Sequence, residues 1–142
     1  MGNLSAFLSQ NAVKVDNVKH AVSKRFLDKE GKSIEWEIQC IDSAEDEVLK
    51  KECTKRVPIP GRRGQYTQET DYNLYLGKLA AKCTVFPNLD DAELQDSYKV
   101  MGADKLLKTM LTPGEYTDYL VKVQEVNGFE ITLEDAVEEA KN

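Results

Sequence analysis

A chain of 142 residues, 41% hydrophobic and 31% charged, has room for one ordinary domain with a core, because at about 150 residues roughly two-thirds of the unfolded surface is buried. No apolar run approaches the about 20 residues a membrane helix needs, and the Met1-Gly2-Asn3-Leu4 start has neither the basic nor the apolar region of an export signal, so a cytoplasmic protein is expected. The net charge of −6 is uneven: residues 1–85 carry 14 basic and 12 acidic side chains and residues 86–142 carry 5 and 13, which excludes bulk attraction to a phosphate backbone.

Leu4, Phe7 and Leu8 recur at helical spacing after a cap at Asn3 and predict a short helix within residues 1–12. From Val13 the period falls to two, with Val18, His20, Val22, Lys24 and Phe26 on one side. A polar turn at 28–32 follows, after which Ile34, Trp36, Ile38 and Cys40 alternate with Glu35, Glu37 and Gln39. Residues 13–41 are therefore expected to form a β-hairpin with Trp36 facing the core. An isolated hairpin is marginal in water, so helices must cover its apolar face.

Everything after residue 42 reads as helix between caps, a helical body over residues 42–131. Ser43 with Asp46 opens a helix to about Lys55, and Thr70 or Asp71 opens one carrying Tyr72, Tyr75, Leu76, Leu79, Ala80 and Cys83. Asp90 with Glu93 starts a third through Tyr98, and Gly102 separates it from Ala103 to Leu111. Thr112-Pro113-Gly114-Glu115 is the strongest local signal: a capping threonine, proline where its missing N–H is harmless, and a carboxylate at the third helical position. The helix it starts places Tyr116, Tyr119, Leu120, Val123 and Val126 on one stripe and stops at Asn127-Gly128. Thr132 with Asp135 predicts an acidic C-terminal helix over residues 132–142. The fold class is α+β, an N-terminal β-hairpin packed on a mainly helical domain, in one domain over 1–142. Its expected core holds Ile34, Trp36, Ile38, Leu76, Leu79, Tyr116, Leu120 and Val123.

Residues 56–69 have no period, and Pro58, Pro60, Gly61 and Gly64 predict a long loop, mobile until a partner binds. Catalytic chemistry finds little material. The one histidine, His20, sits in an alternating segment, and there is no G-x-S-x-G elbow. Cys40, Cys53 and Cys83 form no C-x-x-C pair and read as small buried hydrophobes. Glu35/Glu37 and Asp90/Asp91 read as solvated faces. No catalytic, metal or cofactor residue is assigned.

Lys50, Lys51, Lys55, Arg56, Arg62 and Arg63 gather 6 of the 19 basic residues into positions 50–63. Tyr66 is close enough to stack on a base, so the cluster has the material of a nucleic-acid patch. It also fits a solvated turn beside a helix end, or an arm that docks on a protein. As a partner surface it offers Arg56, Arg62, Arg63 and Tyr66. The net −8 of residues 86–142 adds Glu134, Asp135, Glu138 and Glu139 as carboxylates that steer a basic partner.

The runs Lys55-Arg56-Val57-Pro58-Ile59-Pro60-Gly61 and Leu79-Ala80-Ala81-Lys82-Cys83-Thr84-Val85-Phe86-Pro87-Asn88-Leu89 carry a further signal, together with Asp96-Ser97-Tyr98, Met101-Gly102-Ala103 and Thr112-Pro113-Gly114-Glu115-Tyr116. So do Phe7, Val22-Ser23-Lys24-Arg25-Phe26 and Ile34-Glu35-Trp36-Glu37. In this order they resemble the XkdN-like tail assembly chaperones of phages and defective prophages of Gram-positive bacteria. That resemblance implies a non-catalytic protein of the host cytoplasm, encoded in a tail gene module. Its partner would be the tape-measure protein, kept soluble until tail-tube subunits polymerise around it, with the tail-tube protein as a second partner and no membrane. The alternative is a nucleic-acid-binding accessory protein using the 50–63 cluster. Many such modules also make a longer form by −1 ribosomal slippage, and Ala140-Lys141-Asn142 is what GCA-AAA-AAC would encode.

Overall fold

The computed structural model describes residues 3–129. In chain order it has α1 (Asn3–Phe7), β1 (Val18–His20), β2 (Trp36–Ile38), α2 (Ser43–Glu52), β3 (Thr54–Pro58), β4 (Tyr66–Thr70), α3 (Tyr72–Cys83), β5 (Thr84–Phe86), α4 (Ala92–Ser97), α5 (Ala103–Met110) and α6 (Pro113–Val126). The class is α+β with an N-terminal β1–β2 hairpin, as the sequence predicts. The acidic helix expected over 132–142 lies outside the described residues.

Capping chemistry sets the main helix starts. The Asp42 carboxylate accepts from the Glu45 N–H and the Asp71 carboxylate from the Leu74 N–H. At α6 the expected capping box is complete: the Thr112 hydroxyl accepts from the Glu115 N–H, Glu115 accepts from the Thr112 N–H, and Pro113 follows the cap.

The hairpin is shorter than its alternating sequence. β1 pairs antiparallel with β2 only from Val18↔Ile38 to His20↔Trp36. Beyond His20 the chain leaves this ladder and meets its partner segment again only near the turn, where the Ile34 N–H donates to the Phe26 carbonyl at 2.8 Å; between, the Arg25 guanidinium donates to the Met110 carbonyl and, at 2.9 Å, to Glu115 Oε1. On its other edge β2 pairs with β5, giving the order β1-β2-β5. That strand was not expected, since three residues at the end of a helix show no readable period.

Trp36 and Ile38, two residues apart, point to one face of β2 and are buried there. Trp36 meets Tyr119 edge-on at 5.2 Å and Phe26 at 6.3 Å between ring centroids. Leu79 and Val123 join them in the core, with Leu76, Tyr116 and Leu120 half-buried against it. Ile34 is half-buried and outside the core cluster, a correction to the expected list. Unexpected core members come from α5, whose Leu106, Leu107 and Met110 are all buried. Gly77 on α3 leaves room for a side chain of α6: a Cβ there would stand 2.9 Å from the Tyr116 hydroxyl.

Residues 56–69 are the largest correction. They are not a loop without regular structure: β3 and β4 pair antiparallel from Thr54↔Thr70 to Pro58↔Tyr66. The breakers fall outside the ladder. Pro58 ends β3, and Pro60-Gly61 occupy the centre of a turn closed by Arg62 N–H to the Ile59 carbonyl at 3.1 Å. Gly61 at φ +77° takes the position of such a turn that needs a left-handed residue. A second turn, Gln65 N–H to the Arg62 carbonyl at 3.2 Å with Gly64 at φ +79°, brings the chain back.

Candidate partner-binding surface

The β3–β4 ribbon springs from the end of α2 and the start of α3, and its base is held firmly. The Asp71 N–H donates to the carbonyl of buried Cys53 at 2.8 Å. The Thr54 and Thr70 hydroxyls share a hydrogen bond at 2.8 Å. Away from that base the ribbon is uncovered. Every residue of β4 but Thr70 is exposed, and β3 is half-buried only at Thr54 and Val57.

The register divides the ribbon into two faces. Lys55, Val57 and Glu69 share the face that looks across a cavity of about 390 Å³ toward Asp71, Tyr72 and Asn73. Arg56, Tyr66 and Gln68 occupy the opposite face. There the Arg56 guanidinium lies over the Tyr66 ring at 4.4 Å, a cation–π contact between diagonal cross-strand neighbours. Arg62 and Arg63 are exposed at the tip. The structure thus brings Arg56 and Tyr66 together and places Arg62 and Arg63 at the far end of the same ribbon. Glu134, Asp135, Glu138 and Glu139 lie outside the described residues.

The basic cluster is not one patch. Lys50 pairs with Asp46 at 3.2 Å and Lys51 with Glu47 at 3.9 Å along α2, and Lys55 stands opposite Glu69 in the ladder. Among the described residues, Arg56, Arg62 and Arg63 have no carboxylate at ion-pair distance. One arginine on the ribbon face and two at its tip present less phosphate-binding charge than six clustered cations.

Tyr72 and Tyr75 stand three residues apart on α3, and only Tyr75 is buried in the core. Tyr72, the first residue of α3, is 65% exposed and meets the Tyr75 ring edge-on at 6.4 Å. The Tyr75 hydroxyl donates to Asp46, and Lys50 lies over its ring at 5.5 Å. Burial and that carboxylate together push the Tyr75 phenol above its ordinary pKa. Beyond Tyr72 a second groove, about 300 Å³, is lined by Lys50, Tyr72, Tyr75, Leu76, Gln124 and Phe129. Sequence reasoning missed Tyr72 and Phe129 as surface groups. The position of Tyr72 next to the Asp71 cap, where a helix has no preceding turn to bury it, was the available signal.

The cysteines are thiols packed in the protein. Cys53 and Cys83 are buried, and burial pushes the Cys83 thiol up to about 11. Among the described residues no group of three or more His, Cys, Asp or Glu is placed to hold a metal ion. None of the described helices is long and apolar enough to cross a membrane.

Comparison with known proteins adds the following. Residues 4–141 match the family of phage XkdN-like tail assembly chaperone proteins. YqbN of Bacillus subtilis (strain 168) is 35% identical over 141 residues, covering 99% of this chain and 93% of that protein. The phage-like element PBSX protein XkdN of the same organism is 33% identical over 141 residues, covering 99% and 94%. A crystal structure of YqbN superposes with a TM-score of 0.77 at 29% identity, covering 89% of this chain and 96% of that one.

Proposed function

The chain belongs to the phage XkdN-like tail assembly chaperone family, and we propose that within it this protein binds the tape-measure protein and keeps it soluble while tail-tube subunits assemble. The observation that carries this reading is the β3–β4 ribbon, which stands off the helical body with a stacked Arg56–Tyr66 pair and an arginine tip. Arginine and tyrosine are the residue types that anchor protein interfaces, and an uncovered strand pair offers main-chain groups along its free edges as well. Neutralised Lys50 and Lys51 favour a protein client over a phosphate backbone. The tail-tube protein is the second partner in this reading, and the bacterial cytoplasm is where the complex forms.

Co-expression tests it. The tape-measure protein is expected in the soluble fraction with this chain and in aggregates without it, and Arg62→Glu/Arg63→Glu with Tyr66→Ala is expected to weaken the rescue. Equal solubility with and without the chain would overturn the reading. Capture of nucleic acid that collapses as salt rises, with no capture of the tail proteins, would replace it by the phosphate-binding alternative.

A further inference from the structure

The β3–β4 ribbon has two free edges, and its register fixes what each one offers. The Asp71 N–H donates to the Cys53 carbonyl at 2.8 Å and the Ile59 N–H to the Gln65 carbonyl at 3.0 Å. Bonded and non-bonded pairs alternate in an antiparallel ladder, so between these two bonds the ladder is held at Lys55↔Glu69 and Val57↔Thr67. The main-chain groups of Thr54, Arg56 and Pro58 therefore turn away from β4, and those of Tyr66, Gln68 and Thr70 turn away from β3. The two edges are not equivalent. Pro58 has no N–H to donate and β3 also carries Lys55, the kinds of residue that guard an edge against pairing. β4 has neither proline nor lysine, and it is exposed from Tyr66 to Glu69. Among the described residues no hydrogen bond reaches the outward main-chain groups of Tyr66, Gln68 or Thr70.

We propose that the β4 edge pairs with β4 of a second copy of this chain, antiparallel about a two-fold axis at Gln68, so that two ribbons join into one sheet of order β3-β4-β4-β3. The strand is complementary to itself in this register. Gln68 meets Gln68, and Tyr66 of each copy meets Thr70 of the other, so every outward residue of β4 has a partner with which it exchanges both main-chain hydrogen bonds. An aromatic ring beside a β-branched side chain is a favourable cross-strand pair. Glu69, the one charged residue of β4, falls opposite Thr67 of the other copy. Neighbouring registers are worse: an axis at Glu69 sets two carboxylates opposite each other, and an axis at Thr67 leaves Thr70 of each copy without a strand partner. Directly opposed residues share a face, so the Arg56–Tyr66 stacks of both copies come to one side of the sheet, their β3 strands about 14 Å apart at the usual strand spacing. A client of the ribbon then meets two stacks where one chain offers one. An edge contact is small among protein interfaces, so the dimer is a reversible one.

The proposal concerns the same ribbon as tape-measure binding but does not rest on it, and it is tested on the full chain alone, so the two can fail separately. Light scattering is expected to show the mass rising from one copy toward two as the concentration approaches about 1 mM. Gln68→Pro removes the central outward N–H of β4 and no bond of the ribbon's own ladder, and it is expected to hold the mass at one copy. Arg56→Pro removes the matching N–H of the other edge and is expected to dimerise as the wild type does. Unchanged fluorescence of Trp36 marks an intact core in both variants. A second measurement reads the register. Paired residues at the axis have Cα atoms about 5.5 Å apart, within disulfide reach, so Gln68→Cys is expected to cross-link two copies under diamide about tenfold faster than Arg56→Cys. A mass of one copy at every concentration overturns the proposal, as does a dimer that survives Gln68→Pro. Loss of the dimer in both proline variants overturns it too, by moving the contact from the β4 edge to the ribbon face. Equal cross-linking of the two cysteine variants also overturns it.

Discussion

β1–β2 and β3–β4 are both antiparallel pairs of consecutive strands, and they are held in opposite ways. The first has strands of three residues, yet Trp36 and Ile38 bury one face against Leu79, Tyr119 and Val123, and β5 takes up the free edge of β2. The second has five-residue strands in unbroken register and buries almost nothing. Length and main-chain hydrogen bonds therefore do not decide which pair is covered. The side chains do: β2 reads apolar at every second position, whereas β3 and β4 carry Lys, Arg, Gln, Glu and Thr on both faces. The ribbon relies instead on its two glycine turns, the threonine pair at its base and the Arg56–Tyr66 stack.

The largest effect expected from this contrast separates two aromatic truncations. Trp36→Ala removes a buried indole and is expected to destabilise the protein by roughly 3–5 kcal/mol. Tyr66→Ala removes an exposed phenol and is expected to stay within about 0.5 kcal/mol. Denaturant unfolding of the two variants checks both values. Comparable losses would mean that the ribbon, too, is part of the cooperative core.

The same contrast explains what the sequence revealed. Trp36, Ile38 and the Thr112 to Glu115 cap were legible because burial and capping impose a spacing, and the spacing survives whatever the rest of the chain does. The ribbon was hidden because Pro58, Pro60, Gly61 and Gly64 dominate its sequence, although their positions at one strand end and in two turns leave the strands intact. An uncovered ribbon has no apolar alternation to announce it. β5 was hidden for a different reason, its pairing being a tertiary event between segments 46 residues apart at Ile38↔Thr84. At the candidate site Arg56, Arg62, Arg63 and Tyr66 were identifiable as residue types, but their division between a stacked face and a tip was not. Tyr72 and Tyr75 share a helical stripe, and only the exposed start of α3 separates them.

A smaller effect is expected on the covered side, where α3 and α6 meet at Gly77. A methyl group there would press on the Tyr116 hydroxyl, which is buried and has no hydrogen-bond partner among the described residues. Gly77→Ala gains helix propensity of up to about 1 kcal/mol and meets an overpacking penalty of typically 1–3 kcal/mol. A net loss of about 1 kcal/mol is expected. Tyr116→Phe removes the unpaired hydroxyl and is expected to be neutral or mildly stabilising. The double variant is expected to recover most of the Gly77→Ala loss, as measured by a thermal-unfolding cycle of the four proteins. An additive cycle would show that the two side chains do not interact.

The smallest expected effect tests how the covered hairpin is tied to the helices. Arg25, in the connection between β1 and β2, reaches Glu115 at 2.9 Å, the same carboxylate that closes the α6 capping box. The Arg25 guanidinium, with the Ser23 hydroxyl and the Thr112 N–H, holds the Glu115 carboxyl down to about 2 from an ordinary 4.5. Because the folded value lies below the unfolded one, the stabilisation is fully present above about pH 4.5 and is lost as pH falls through about 2. Solvent reaches both side chains, so salt screens the pair and its contribution is modest. Glu115→Gln keeps an acceptor for the Thr112 N–H and removes only the charge. Wild type is expected to be the more stable of the two above pH 4.5, with the gap narrowing toward pH 2 and smaller at high salt. A gap that does not change with pH would assign Glu115 to the cap alone and leave Arg25 to the Met110 carbonyl. The hairpin would then be held by Trp36 and its neighbours without help from the clasp.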